Sequence, residues 1–142
     1  MRTIQFIFLL FAIATPYSAV SANSTLHVML QEWRIIADKK VVPAGPLKIS
    51  VQNRGQETHE IVLLRTDLPH NNLPMQASGG ISEEKAGKLV NELEDLTPRS
   101  KKSMHVNLKP GNYVLLCNMV EIEDGEKEQH YSMGMRTAFT VR

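Results

Sequence analysis

The sequence predicts an all-β fold, a Greek-key β-sandwich with one short inserted helix. Three observations carry this expectation. Short runs alternate apolar and polar residues, Pro, Gly and Asn separate those runs, and a single stretch repeats its apolar residues at helical spacing. The length of 142 residues fits one domain, and the roughly 120 residues left after loss of a leader can bury a core unaided.

Thr25 to Ile36 mixes β-branched and aromatic residues with polar ones and reads as one strand with a bend. Val41 to Pro46 is a strand end and a turn, because proline cannot donate to a central ladder. Leu47 to Gln52 alternates as a half-buried strand does, and Asn53-Arg54-Gly55 breaks it. His59 to Leu64 is the next strand, with the histidine at its start. Thr66 to Gly80 is loop. Ser82 to Leu93 reads as the helix: Ser82 and two acids suit its start, and Ala86, Leu89, Val90 and Leu93 recur at helical spacing. Lys101 to Leu108 returns to strand. A Pro110-Gly111 turn leads into Tyr113 to Cys117, the most apolar strand and the one expected at the centre of a sheet. Tyr113 suits either a corner anchored through its hydroxyl or a core ring. Thr137 to Val141 closes the chain as a last strand.

The first residues have the composition of an export signal. Arg2 is followed by the apolar run Ile4 to Ala14, then Val20-Ser21-Ala22 with small residues where a peptidase cuts. The expected organisation is a leader at 1–22 and a single domain at 23–142. The run is too short to span a bilayer, which takes about 20 apolar residues. The destination is therefore outside the cell, or the periplasm in a Gram-negative bacterium, with no membrane span in the mature chain. Loss of Arg2 leaves 15 basic against 15 acidic residues. Such a balance, without a basic stripe, excludes nucleic acid as a partner. An exported chain meets oxidising conditions, yet this one has a single cysteine, Cys117. A lone thiol there calls for an intermolecular disulfide, a nucleophilic role or a metal.

Its neighbours decide among these. Twelve residues separate Cys117 from His130, four more separate His130 from Met135, and His59 opens an earlier strand. Two imidazoles, a thiolate and a thioether make up the ligand set of a blue-copper centre, trigonal His₂Cys with a weak axial methionine. Taken singly, each residue has a plainer reading: Cys117 as a small core residue, His59 as a turn cap, Met133 in place of Met135 as the thioether. A Cys-His nucleophile lacks an evident orienting residue. His27 and Met29 share a strand face and read as packing and surface, or as a second soft-metal site. His70 and His105 read as loop and exposed-strand residues.

The segments Tyr113-Val114-Leu115-Leu116-Cys117-Asn118, His130-Tyr131-Ser132-Met133-Gly134-Met135 and Thr137 to Val141 resemble the C-terminal copper loop of the cupredoxins. Lys48 to Leu64 resembles that family's first-ligand region. The resemblance spans most of residues 25–142. It implies one copper ion held by His59, Cys117 and His130 with Met135 axial, and Asn118 bracing the site by hydrogen bonds. The chain departs from compact cupredoxins in the long segment Met119 to Gln129, which carries five acids against Lys127. A hairpin turning at Asp124-Gly125 would keep the ligand ends close, and its acids form either a solvated loop or a docking patch for a basic partner.

The expected role is an exported one-electron carrier, a monomer working between redox proteins rather than an enzyme. The alternative is copper handling: capture, storage or delivery of the ion. A small copper oxidase or reductase ranks last, since no second histidine cluster is present.

Overall fold

The computed structural model describes residues 24–142; the expected leader lies outside the described residues. Eleven strands and two single-turn helices follow in the order β1 (Ser24–Gln31), β2 (Arg34–Ala37), β3 (Val41–Val42), β4 (Gly45–Asn53), β5 (His59–Arg65), α1 (Glu83–Ala86), β6 (Lys88–Leu96), β7 (Lys101–Leu108), β8 (Gly111–Leu116), β9 (Val120–Glu123), β10 (Glu126–Gln129), α2 (His130–Met133) and β11 (Arg136–Val141). Two sheets form the sandwich, one ordered β2-β1-β4-β7 and the other β3-β11-β8-β5-β6, and β9 and β10 pair separately. Both large sheets are mixed: β1 runs parallel to β4 and β11 parallel to β3, and the remaining pairs are antiparallel. The all-β sandwich read from the sequence is therefore the architecture of the chain.

The core lies between the sheets. Leu26, Val28 and Leu30 of β1, with Leu47, Ile49 and Val51 of β4, face Ile61 and Leu63 of β5, Leu115 of β8 and Phe139 of β11. Alternate residues of each strand point the same way, so this one layer explains the alternation in β1 and β4. The near-continuous apolar runs of β5 and β8 have a different cause. Their opposite faces, with Val62, Leu64, Val114 and Leu116, pack against Leu73, Ile81, Ala86 and Tyr131. Both strands are buried on both sides, and β8 holds the middle of its five-stranded sheet.

Tyr113 serves as corner and as core ring together. Its hydroxyl donates to Lys109 O at 2.8 Å, and its ring stacks on Phe139 with centroids 5.5 Å apart. Tyr131 pins the long loop beneath the sheet: its hydroxyl accepts from Leu73 N at 3.0 Å and donates to His70 O at 2.9 Å.

Two expectations need correction. Thr25 to Ile36 is a hairpin of two strands rather than one bent strand, with Glu32 and Trp33 at its turn. The helix expected over 82–93 stops after one turn at Ala86, and residues 88–96 form β6 against β5. Gly87 ends the helix where a Cβ would meet Arg65 O at 2.6 Å. The helical spacing has a physical source in β6 itself. Ile61 pairs with Leu93 while His59 pairs with Leu96, and Leu63 pairs with Asn91 while Leu64 pairs with Leu89. At each shift β6 carries one residue more than β5, a bulge. Val90 and Leu93, both packed against the core, thereby fall three apart, the spacing a helix would show.

This assignment predicts unequal costs along β6. Leu96 is fully buried, whereas Leu89 is 45% exposed. Leu96→Ala is expected to lower stability by about 2–5 kcal/mol, and Leu89→Ala by less than about 1 kcal/mol, in denaturant unfolding. Comparable losses at both positions would contradict the strand.

Candidate metal centre

Topology gathers the sequence-predicted residues. Because β5 and β11 both run antiparallel to β8, the starts of β5 and β11 lie beside the end of β8. His59 is the first residue of β5, Cys117 follows β8, His130 opens α2 and Met135 immediately precedes β11. All four side chains are fully buried. Backbone hydrogen bonds strap the segment down: Cys117 N donates to Met135 O at 3.0 Å, Met135 N to His130 O at 3.0 Å, and His130 N to Met119 O at 3.1 Å.

The ligand-bearing atoms of His59, Cys117 and His130 all lie within 4.8 Å of one another. His130 Nδ1 is 3.3 Å from His59 Nδ1 and 3.4 Å from Cys117 Sγ. Metal bonds of about 2.0–2.3 Å to nitrogen and sulfur place equatorial donors about 3.5–4 Å apart. The observed separations are close to that span, and two neutral imidazoles with one thiolate suit a soft or borderline ion. The three side chains fit a type 1 copper site. Met135 is held next to them through its backbone.

Burial sets the protonation of the donors. It pushes the Cys117 thiol up to about 12, against hydrogen bonds from the amides of Glu60 and Met119. In the metal-free chain the thiol stays protonated, and only a cation converts it to thiolate, releasing the proton. Burial holds the His59 imidazole below the ordinary range, His130 adds to this, and Glu32 opposes it. His130 is likewise held down by burial, with Glu121 opposing. Both rings are thus neutral and able to ligate at neutral pH.

The surrounding residues complete the enclosure. Asn118 donates through Nδ2 to Ile81 O at 3.1 Å and to Glu83 Oε1 at 2.9 Å, and its Oδ1 accepts from Ile81 N. Its own N–H meets Glu60 Oε1 at 3.0 Å. Asn118 thereby ties the strand end at Cys117 to the loop before α1, and Gly80 leaves room for it: a Cβ there would stand 2.9 Å from Asn118 Oδ1. Asn53 braces the approach to His59, donating to Glu57 O and Leu96 O at 2.7 Å each. The segment 119–129 is a hairpin, β9 against β10, turning at Asp124 and Gly125 with φ of +51° and +83°. His130 Nε2 points toward it, 3.8 Å from Glu121 Oε2 and without a hydrogen bond among the described residues.

Glu32 and Trp33 are the functional neighbours that sequence reasoning missed. Trp33 stands edge-on to both imidazoles, with ring centroids 6.4 Å from His59 and 5.0 Å from His130. Its carbonyl sits where a Cβ on Gly134 would come within 2.7 Å. Glu32 Oε1 lies 3.4 Å from His59 Nε2. Burial raises the Glu32 carboxyl, but hydrogen bonds from the amides of Glu57, Glu32 itself and Gln56 and from His59 outweigh it and hold the group below the usual carboxylate range. Both residues fall inside a stretch whose composition reads as strand, so nothing local marks them. His27 is exposed on the outer face of the four-stranded sheet beside half-buried Met29, and His105 is exposed on β7.

The fold is the cupredoxin fold, a β-sandwich with the candidate ligands gathered at the adjoining ends of β5, β8 and β11. Solved structures that share it include auracyanins and rusticyanin. A dithionite-reduced auracyanin from the photosynthetic bacterium Roseiflexus castenholzii superposes with a TM-score of 0.54 at 20% identity, over 85% of this chain and 98% of that one. Reduced rusticyanin gives 0.55 at 16% identity, over 85% and 81%. Auracyanin A, described as a blue copper protein from Chloroflexus aurantiacus, gives 0.54 at 15% identity, over 85% and 100%. No protein-family profile and no curated protein sequence matches the chain.

The depressed imidazoles give a signed pH dependence. The folded chain keeps both rings neutral, whereas the unfolded chain takes up protons near pH ~6.5. The stability they confer is present above that value and is lost as pH falls through it. The thermal midpoint of the metal-free chain is expected to drop between about pH 7.5 and about pH 5.5. His130→Gln is expected to flatten that slope, and an unchanged slope would contradict the assignment.

Proposed function

We propose that the chain binds one copper ion through His59, Cys117 and His130, with Met135 as the weak axial ligand, and serves as an exported one-electron carrier. The convergence of two imidazole Nδ1 atoms and one thiol sulfur in a sealed pocket carries this reading. Bound copper supplies the one-electron couple. The chain's own residues set the rest. Three strand ends and the straps at Cys117, His130 and Met135 hold the donors in place, so little has to move between charge states. Two backbone amides directed at Cys117 Sγ favour the thiolate. Trp33 and the β9–β10 hairpin keep water from the imidazoles.

The partners would be other redox proteins, as in the carrier reading of the sequence. Among the described residues no helix is long and apolar enough to cross a membrane. The leader pattern at 1–22 supports export. The alternative, copper capture and delivery, requires the ion to be passed through ligand exchange. Complete burial of all four side chains favours retention over hand-off.

The test is a visible spectrum of the purified chain with one equivalent of Cu(II). A strong thiolate-to-copper charge-transfer band is expected, and Cys117→Ser is expected to abolish it. Met135→Leu, close in volume, should keep the band and raise the reduction potential, because the axial ligand tunes that potential. Met133→Leu should change neither. A potential that moves with Met133 instead of Met135 would reassign the axial ligand.

A further inference from the structure

We propose that Glu32 is a positioning residue for the metal centre: its carboxylate fixes the His59 imidazole in the tautomer that leaves Nδ1 bare toward Cys117 and His130. It also places a negative charge directly behind one ligand. The potential arm of this inference rests on the copper reading, whereas the tautomer arm rests on geometry alone.

Glu32 sits in the turn between β1 and β2, and sequence separates it widely from every proposed ligand. One oxygen meets three groups of the neighbouring loop and strand. Oε1 accepts from Gln56 N at 2.7 Å and from Glu57 N at 2.9 Å, and it stands 3.4 Å from His59 Nε2. The first two bonds lock the carboxylate onto the loop that leads from β4 into β5. Gly55 leaves the space this oxygen occupies: a Cβ there would fall 2.0 Å from it and displace the carboxylate. The carboxylate is thus held in place by groups other than the histidine it serves.

The chemistry then fixes the proton. An ionised carboxylate only accepts hydrogen bonds, so Nε2 must be the donor. A neutral imidazole carries one N–H, so Nδ1 is left with its lone pair. That nitrogen is the one 3.3 Å from His130 Nδ1 and facing the cluster. Hydrogen bonds of this kind orient a ligating histidine and raise its basicity. The two imidazoles are not treated alike: His130 Nε2 has no hydrogen bond among the described residues.

A plainer role would have Glu32 merely tie two turns together. The experiment separates the two. Long-range ¹⁵N–¹H correlation on the metal-free wild-type chain is expected to show His59 as a single Nε2–H tautomer. Glu32→Ala is expected to give a tautomer mixture and to weaken Cu(II) binding about 10–100-fold. Glu32→Gln keeps an oxygen for both backbone amides but loses the charge. It should melt like wild type and keep the tautomer, while its reduction potential rises, because the charge favoured the oxidised ion. An Nδ1–H tautomer in the wild type, or a Glu32→Gln potential equal to wild type, would overturn the proposal. If Glu32→Ala does not fold, the wild-type tautomer and Glu32→Gln still decide it. If the wild type shows no thiolate-to-copper band, the copper reading fails, and the wild-type tautomer alone decides the role of Glu32.

Discussion

The antiparallel pairing of β8 with both β5 and β11 is the constraint on which the rest of the site depends. It places one strand end and two strand starts side by side, and each of those three ends carries a proposed donor. The donors could not converge from a single segment. Cys117 and His130 lie 13 residues apart, and His59 stands 58 residues before Cys117. Pairing in the sheet replaces that sequence distance with neighbouring positions, and the register leaves little freedom, since slipping by one residue would turn every side chain to the other face. Burial of β5 and β8 on both sides holds the register.

Such a pocket is costly without a cation. Two imidazoles and a thiol are removed from water, with few hydrogen bonds to replace it. The surrounding apolar layers stabilise the strands that hold them there. The side chains of Glu60, Asn118 and Asn53 bond mainly to backbone groups near the candidate donors and fix the loops, while the Glu60 amide donates to Cys117 Sγ at 3.4 Å. The arrangement leaves the donor atoms facing each other.

Most of the sandwich was legible because alternation reports one buried face directly, as in β1, β4 and β7. The candidate donors could be picked out because Cys117, His130 and Met135 are close in sequence and chemically unusual together. Other features were hidden for definable reasons. Bulges in β6 imitated a helical repeat, so residues 88–96 could be read only with β5 beside them. The turn at Glu32 and Trp33 vanished into a run of strand-forming residues. Its relation to His59 is created by the fold, since neither periodicity nor composition encodes which turn will meet which loop.

The β9–β10 hairpin has a consequence for how this domain can vary. Val120 pairs with Gln129 at its base, and Met119 O receives the amide of His130, so the two ends enter and leave at adjoining points. Its tip is open: a Cβ on Gly125 would touch nothing within 4 Å, and Ile122 is 74% exposed. Beyond Glu121, whose carboxylate lies 3.8 Å from His130 Nε2, the turn at Asp124 and Gly125 can change length and charge in register-preserving steps. The domain therefore joins a root whose geometry the candidate ligands require to a crown open to substitution.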